Sequence, residues 1–313
     1  MKLASFSTEN LPRVRVGLVQ GDEIVDIDLA ARALQVRPFE QMLDLIAHYD
    51  DEGKATLDAI MQKAGQRRFS EVRTFSEIGA VHKLNEVQLA APIPRPAKNV
   101  MCLGLNYAEH AKESAQARGR EATQLEAPLF FTKAPTTVNG PYSPLVIDPS
   151  VSTQIDWEAE LAVIIGRGGK NIREADSLDH VFGYTVLNDV SARDLQALHK
   201  QFFKGKSIDG YCPMGPWIVT ADEIPDPQNL KLCLRVNGAT KQDDTTGNMI
   251  FSVRTIISVL SQGMTLEPGD IIATGTPSGV GFARKPPEFL KPGDVMETEI
   301  EGIGIMKNPV IGV

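Results

Sequence analysis

Cysteine, histidine and aromatic residues are scarce in this chain of 313 residues. Its three cysteines, Cys102, Cys212 and Cys233, are far apart and odd in number, which excludes a disulfide framework and a C-x-x-C zinc pair. Five scattered histidines form no H-E-x-x-H motif, and aromatic residues at 6% offer few surfaces for stacking nucleic-acid bases. Because unpaired thiols fit a reducing compartment, we expect a cytoplasmic protein.

Long apolar runs and a surplus of positive charge are missing as well. The densest apolar segment, residues 161–166, is far too short to span a bilayer, and the first residues show no signal-peptide pattern. Lysine and arginine number 32 against 40 acidic residues, and the resulting net charge of −8 argues against a nucleic-acid partner. We therefore expect a globular protein that binds neither nucleic acid nor membrane.

The sequence predicts an α+β fold in which strands outnumber helices. Near the N-terminus, residues 2–7, 13–19 and 23–27 alternate polar and apolar side chains, which is typical of an antiparallel meander. Residues 39–48 and 52–64 instead show the apolar spacing of helices. These elements together predict a small α+β unit.

Three prolines within residues 91–99 interrupt regular structure, because proline fixes φ and lacks the backbone N–H. We therefore predict a small N-terminal α+β domain over residues 1–90 and a larger, mainly β domain over residues 91–313. The predicted strands of the larger domain are 99–104, 128–132, 144–148, 157–165, 181–188, 215–219, 231–236, 270–274 and 295–300. Its predicted helices are 107–115, 191–198 and 251–261. The polar stretch 114–126 predicts a mobile loop or lid.

Two glutamates separated by one residue, Glu158 and Glu160, open an apolar segment that continues to Ile165. Since side chains alternate along a strand, both carboxylates point to one face, with Cα atoms about 6.5–7 Å apart. If the strand is buried, a hard divalent cation such as Mg²⁺ or Mn²⁺ is the natural compensation for the two charges. An edge strand that carries two solvated glutamates is the alternative.

Three further acidic and basic side chains lie where a site could use them. Asp189 ends the apolar run 181–189, where its carboxylate could serve a site or cap the following helix. His110 and Glu113 are three residues apart, so they are neighbours if the segment is helical. A glutamate that orients a histidine gives a general base, whereas the plain alternative is a solvated helix face.

Two later segments add a cation and a hydroxyl group. Lys206 is flanked by phenylalanine, isoleucine and tyrosine residues, a setting that suits either a buried, oriented cation or a lysine on a surface loop. Thr276 follows Gly275 in a glycine-rich turn, where its hydroxyl and nearby backbone N–H groups could hold a carboxylate. An ordinary loop in which glycines relieve φ constraints is the alternative there.

In their order along the chain, these motifs resemble the fumarylacetoacetate hydrolase family. The matching segments are GLNYAEHAKE, IDWEAELAVIIG, GYTVLNDVSARDLQ, FKGKSIDGYCPMGP and GDIIATGTPSGVG. The resemblance runs from about Asn99 to the C-terminus, and the N-terminal part resembles, more weakly, the small extra domain of longer bacterial members. It implies a catalytic domain of mixed strands rolled around a metal site.

The resemblance also implies roles for individual residues. The family's three metal-binding carboxylates, which hold Mg²⁺ or Mn²⁺, fall on Glu158, Glu160 and Asp189. The catalytic His–Glu dyad, in a segment that often acts as a lid, falls on His110 and Glu113, and the active-site lysine falls on Lys206. The matches to substrate-binding positions are Gln196, Gly275, Thr276 and Arg193, the last with a structural role as the alternative.

The activity that the resemblance implies is metal-dependent hydrolysis or lysis of a C–C bond in a 2-oxo, acylpyruvate-like acid, through a metal-stabilised enolate. Oxaloacetate decarboxylation and isomerisation of a 2-oxo-heptenedioate in aromatic catabolism are alternatives within the family, because both use the same enolate. A non-catalytic binding or regulatory protein is the alternative outside it. The expected partners are a small 2-oxo acid and a second copy of the chain in a homodimer.

Overall fold

The computed structural model describes residues 1–64, 74–121 and 125–313. The described strands are β1 (Lys2–Thr8), β2 (Leu11–Gln20), β3 (Glu23–Asp26), β4 (Val81–Lys83), β5 (Gln88–Ala90), β6 (Val100–Gly104), β7 (Leu129–Lys133), β8 (Val138–Asn139), β9 (Leu145–Ile147), β10 (Ile155–Asp156), β11 (Ala159–Ile165), β12 (Val181–Asn188), β13 (Ser191–Ala192), β14 (Cys212–Thr220), β15 (Lys231–Val236), β16 (Ala239–Thr245), β17 (Ile271–Ala273), β18 (Val295–Ile300) and β19 (Gly304–Gly312). The described α-helices are α1 (Ile27–Leu34), α2 (Met42–Ala47), α3 (Lys54–Ala64), α4 (Ala108–Ala117), α5 (Arg193–His199), α6 (Phe203–Lys206) and α7 (Val253–Leu260). None of these helices is long and apolar enough to cross a membrane.

The N-terminal strands form the antiparallel meander that the sequence predicts. β2 lies between β1 and β3 and pairs antiparallel with both. The helices α2 and α3 confirm the two predicted helices, although α2 begins only at Met42. The sequence did not predict α1, which follows β3 directly because the Asp26 carboxylate caps it by accepting a hydrogen bond from the Leu29 N–H at 3.0 Å.

One large sheet joins this meander to the rest of the molecule. Among the described strands its hydrogen-bonded order is β4-β3-β2-β1-β14-β12-β11-β17-β6-β7, with β5 on β1 and β8 on β14. The junction is the antiparallel pairing of β1 with β14, in which Lys2 lies opposite Val219. Residues 91–98 contain neither helix nor strand, and a domain boundary near residue 90 stays a prediction.

A second sheet contains two strands that the sequence did not predict. Its order among the described strands is β16-β15-β18-β19-β9. β16 is a polar edge strand, reached from β15 through a turn at Asn237 and Gly238, which both have positive φ. β19 contains Pro309, a residue that argues against a strand unless it lies near an end of the pairing, as it does opposite Val295.

The strands that carry the site are buried on both faces. Every residue of β11 and β12 is buried. Leu161 and Val163 belong to the apolar core on one face of the sheet, whereas Ala162 and Ile164 belong to the core on the other. The unbroken apolar run after Glu160 therefore reflects a central strand. Strand residues exceed helix residues, at 35% against 27%, which confirms the mainly β, α+β prediction.

Candidate active site and metal centre

Three carboxylates meet where β11 begins and β12 ends. Glu158 directly precedes β11, Glu160 is its second residue, and Asp189 directly follows β12. The two strands are antiparallel neighbours, with Ala159 opposite Asn188, so the start of one lies beside the end of the other. One oxygen from each of the three carboxylates lies within 4.8 Å of the others. Glu158 and Glu160 thus share a face, as the alternation along the strand predicts.

Burial decides between the alternatives that the sequence left open for these carboxylates. Glu158, Glu160 and Asp189 are only 5%, 1% and 0% exposed. They are therefore not solvated glutamates on an edge strand. Asp189 does not cap the next helix either, because α5 begins at Arg193 after Ala192.

Buried cations compensate part of this negative charge. The Lys206 Nζ donates to Glu158 Oε2 at 2.7 Å and to Asp189 Oδ2 at 2.6 Å. The Lys133 Nζ donates to Asp189 Oδ1 at 2.7 Å, and the Arg193 Nη2 donates to Glu158 Oε1 at 2.6 Å. Although burial alone would raise the pKa of Glu158, the charges of Lys206 and Arg193 hold it below its ordinary value.

Glu160 is the least compensated of the three carboxylates. A hydrogen bond from the Gly275 N–H reaches its Oε2 at 2.8 Å. Burial and the charges of Asp189 and Glu158 raise the pKa of Glu160 well above its ordinary value. A divalent cation would supply the missing positive charge, and an all-oxygen donor set suits Mg²⁺ or Mn²⁺. The residues present therefore fit the cation that the sequence predicts.

Lys206 is a buried, oriented cation rather than a lysine on a surface loop. Its residue is 2% exposed, and its Nζ lies 5.1 Å from the centroid of the Phe131 ring. Lys133, which the sequence analysis missed, is fully buried at the end of β7. The available signal was a lysine that directly follows the predicted strand 128–132, a pattern that also fits an ordinary strand end.

The His110–Glu113 pair lies on α4 and is held in place by the glycine-rich turn. His110 Nδ1 lies 3.0 Å from Glu113 Oε1, and the Gly279 N–H donates to both carboxylate oxygens of Glu113 at 3.0 Å. His110 is only 5% exposed, so this part of α4 is not a solvated face. Since Glu113 engages Nδ1, the other ring nitrogen is the one available to a substrate.

Arg193 and Gln196 come from α5, and both side chains are buried. The Arg193 Nη1 donates to Gln196 Oε1 at 3.1 Å, so the Gln196 amide N–H groups, which have no partner among the described residues, can meet a substrate oxygen. Arg193 Nε also donates to Asp156 Oδ2 at 2.8 Å. Arg193 therefore holds Asp156 in place, which is a structural role, and also contacts the side chain of Gln196 at the site.

Asp156 is a second residue that the sequence analysis missed. It is fully buried, and its Oδ1 accepts a hydrogen bond from the Gly281 N–H at 2.6 Å. It thus ties Arg193 to the turn that follows Gly279. Its sequence signal was available, because Asp156 continues the alternation of Glu158 and Glu160 by one step towards the N-terminus.

The two predicted residues of the glycine-rich turn differ in their contacts. The Thr276 hydroxyl donates to the Ala159 carbonyl and accepts from Gln242 Nε2, both at 2.8 Å, so it braces the turn against β11. Gly275 gives its N–H to Glu160 and has a φ of 94°. A Cβ there would lie 2.8 Å from the Asn106 Cβ, so the turn needs glycine at this position.

A narrow cleft with a volume of ≈ 30 Å³ lies beside the acidic cluster. Its polar walls are His110, Ser114, Arg118, Glu158, Arg193, Gln196, Lys206 and Thr276. The cleft thus brings together the histidine of the predicted dyad, the predicted lysine and one of the predicted metal ligands. It adjoins an outer groove with a volume of ≈ 710 Å³, and Arg118, Arg193 and Gln196 line both.

The predicted lid, residues 114–126, begins within α4, which ends at Ala117. Residues 122–124 lie outside the described residues. Movement of this segment therefore stays a prediction.

Comparison with known proteins agrees with the site geometry. The family model "Fumarylacetoacetate (FAA) hydrolase C-terminal" matches residues 99–311, the part of the chain in which the motifs lie. Oxaloacetate tautomerase YisK from Bacillus subtilis is 45% identical over 312 residues, which cover 99% of this chain and 100% of that protein. Among solved structures, a fumarylacetoacetate hydrolase from Exiguobacterium antarcticum has a TM-score of 0.79 and 37% identity, with 100% of both chains covered. A maleylpyruvate hydrolase from Sphingobium sp. SYK-6, in complex with manganese(II) and pyruvate, has a TM-score of 0.75 and 30% identity, with 100% of this chain and 99% of that chain covered. The chain therefore belongs to the fumarylacetoacetate hydrolase family.

Proposed function

We propose that this protein is a divalent-metal-dependent tautomerase of oxaloacetate, which moves a proton between C3 and the C2 oxygen of this 2-oxo acid. The observation that carries the proposal is the cleft in which the buried His110, held by Glu113, adjoins Lys206 and the acidic cluster. The high identity to a tautomerase of that name, over nearly the whole chain, supports the choice of substrate. Of the activities expected from the sequence, this one is nearest to the isomerase alternative.

Proton transfer is the part of the reaction that His110 and Glu113 would perform. Glu113 holds Nδ1 of the ring and itself accepts two contacts from Gly279, so the ring has a fixed orientation. In the direction from enol to ketone, the O–H proton of the substrate passes to solvent, the C2=O bond forms as the C2=C3 double bond becomes single, and C3 receives a proton from His110. The histidine regains its proton from solvent, so the net change is an isomerisation.

Lys206 would stabilise the negative charge on the C2 oxygen of the substrate. An ammonium group has three N–H donors, and Glu158 and Asp189 accept from two of them. The third donor is available for the C2 oxygen, where negative charge is greatest in the transition state. Lys133, which is bonded to the opposite oxygen of Asp189 and to the Val190 carbonyl at 3.1 Å, would keep that carboxylate oriented.

A Mg²⁺ or Mn²⁺ ion held by Glu158, Glu160 and Asp189 would supply Lewis-acid stabilisation of negative charge on the 2-oxo group. Support for the ion comes from the under-compensated Glu160 and from the structural relative that contains manganese. The choice between the two metals stays a prediction, as do the homodimer and the cytoplasmic location.

Hydrolysis of a C–C bond in an acylpyruvate is the second candidate. The observation that favours it is the outer groove beside the cleft, which has room for the acyl part of a longer substrate. In that reaction His110 would take a proton from water, which then attacks the C4 carbonyl. The assembled dyad, lysine and carboxylates disfavour a non-catalytic protein.

The experiment compares these reactions on one preparation of Mg²⁺-loaded protein. Freshly dissolved oxaloacetate is followed by the loss of its enol absorbance, and the products are identified by NMR. Accelerated loss of the enol with oxaloacetate left intact is the expected result. Release of pyruvate and CO₂ would instead assign a decarboxylase, and cleavage of acylpyruvates in parallel samples would assign a hydrolase.

The matched variants are His110→Asn and His48→Asn. His48 lies in the N-terminal part, and its ring contacts the carbonyl of Asp44 at 2.9 Å, far along the chain from the cleft residues. We expect the change at His110 to remove the acceleration and the change at His48 to leave it intact. Acceleration that survives in His110→Asn would overturn the assignment of the proton-transfer residue.

A further inference from the structure

An arginine without a carboxylate partner lies in the wall of the cleft. Arg118 is the C-cap residue of α4, about two turns beyond His110, and it lines the same cleft as His110 and Lys206. The contact that the structure gives its guanidinium is the ring of Phe282, with the centroid 5.3 Å away. Within the described part of the chain, no carboxylate forms an ion pair with it.

The cations deeper in the site are all bonded to carboxylates of the protein. Lys206 is paired with Glu158 and Asp189, Lys133 with Asp189, and Arg193 with Asp156 and Glu158. Their charges balance the acidic cluster. Arg118 is therefore the cation of the described cleft wall that is free to pair with an incoming anion.

The surroundings of Arg118 make such an anion favourable. Arg118 is exposed, and both its guanidinium and that of Arg193 lie against the Phe282 ring in the cleft wall, so an anion placed beside Arg118 would be attracted by two positive charges. The Phe282 ring also lies 4.5 Å from the Arg193 guanidinium, and it adjoins both arginines. Arg120 and Lys200 line the outer groove beyond Arg118, which extends the positive charge outward.

We propose that Arg118 binds the distal carboxylate of a dicarboxylic 2-oxo acid and so makes the site selective for diacids over monocarboxylic 2-oxo acids. The inference rests on the proposed function, because the 2-oxo end of the substrate is placed at the acidic cluster. A diacid then has its second carboxylate directed away from the cluster, along the cleft. A guanidinium suits that group because its paired N–H donors match the two carboxylate oxygens.

The test measures binding, so it does not depend on turnover. Calorimetry with Mg²⁺-loaded protein compares malate with lactate, two 2-hydroxy acids that share the C1–C2 end and differ in the distal carboxylate. The variants are Arg118→Gln, Arg118→Lys, and Arg120→Gln as the neighbouring control. For Arg118→Gln we expect the Kd of malate to rise by about 10-fold or more, the effect of one lost charged hydrogen bond, with lactate unchanged. For Arg118→Lys the Kd of malate should lie between the values for Arg118→Gln and the wild type.

Two outcomes would overturn the inference. One is that Arg118→Gln weakens the binding of malate and lactate equally, and the other is that Arg120→Gln weakens malate binding as much as Arg118→Gln does. Kinetic measurements test the role of Arg118 separately from the proposed function. In Arg118→Gln the KM for oxaloacetate should rise with a largely retained kcat. Selective malate binding by a wild-type protein that does not tautomerise oxaloacetate would reject the proposed function and leave the role of Arg118 standing.

Discussion

Replacing Glu160 with glutamine should stabilise the metal-free protein and remove its response to metal. Glu160 is buried beside two other carboxylates, and the Gly275 N–H donates to it. The amide has nearly the same shape and can still accept that hydrogen bond, but it carries no charge. The substitution therefore removes repulsion in the metal-free protein and attraction in the metal-bound protein.

The magnitude follows from the spacing of the carboxylates. At the 4.8 Å that bounds the three potential ligand oxygens, two like charges repel by about 3.5 kcal/mol if the effective dielectric constant is about 20. Lys206 lies between Glu158 and Asp189 and offsets much of this repulsion. We therefore expect a net gain of about 1–3 kcal/mol, which for a chain of this size raises Tm by about 1.5–4.5 °C.

Metal should reverse the order of stability. Mg²⁺ at about 100 times its Kd adds about 2.7 kcal/mol to the free energy of unfolding of the wild-type protein. The variant should lose most of this gain because one of its three ligands is neutral. Thermal unfolding in EDTA measures the stability of the metal-free protein, and thermal unfolding in Mg²⁺ measures the stabilisation by the metal. The substitution Glu86→Gln, at an exposed residue, is a matched control that should change neither quantity.

The raised pKa of Glu160 also predicts how the stability difference between Glu160→Gln and the wild type changes with pH. The pKa of Glu160 is raised in the folded protein above the ordinary 4.5, so the folded state holds this proton more tightly than the unfolded state. In the metal-free protein its contribution to stability is fully present below about pH 4.5 and is lost as the pH rises towards the raised pKa. The advantage of Glu160→Gln over the wild type should therefore widen with rising pH. An advantage that is absent in EDTA, or that narrows with rising pH, would refute the reasoning.

Three further predictions concern the remaining parts of the site. His110→Asn should lower turnover by about 10²-fold or more, the usual scale of acid–base catalysis, while calorimetry shows unchanged Mg²⁺ affinity; lost affinity would make His110 part of the metal site. Lys133→Met should lower the free energy of unfolding by about 3–5 kcal/mol in chemical denaturation, because it leaves the buried Asp189 with one partner fewer; a loss below about 1 kcal/mol would contradict this account. Proteolysis within residues 114–126 should slow when Mg²⁺ and oxalate are both present, and equal cleavage rates would argue against a lid.

The sequence predicted the site best where a local pattern has one structural outcome. Alternation along β11 placed Glu158 and Glu160 on one face, and the apolar run after them indicated a strand covered on both sides. For His110 and Lys206, however, the local pattern left a buried and a solvated alternative open, and taken alone it favoured the solvated one. Only tertiary packing distinguishes the two, and it buries both residues.

The features that were missed depend on contacts between distant parts of the chain. Lys133 reaches Asp189 across 56 residues, and nothing in its own strand marks it as a partner. β16 is polar because it lies at an edge. In β19 the buried position between Met306 and Val310 is the polar Asn308, and Pro309 follows it, so the sequence lacks the apolar alternation that identifies a strand. Asp156, by contrast, could have been predicted, because it is two residues before Glu158 and so continues the alternation of the two glutamates.

The pairing of β1 with β14 means that the N-terminal meander protects the catalytic strands as well as adding to them. Without it, β14 would lose its partner at Ile218 and Val219 and present unpaired backbone N–H and C=O groups to other molecules. The next strand along is β12, which ends beside Asp189, so fraying at that edge would begin one strand away from the acidic cluster. Residues 99–311 expressed alone would therefore be prone to associate edge to edge, even though they contain every proposed catalytic residue.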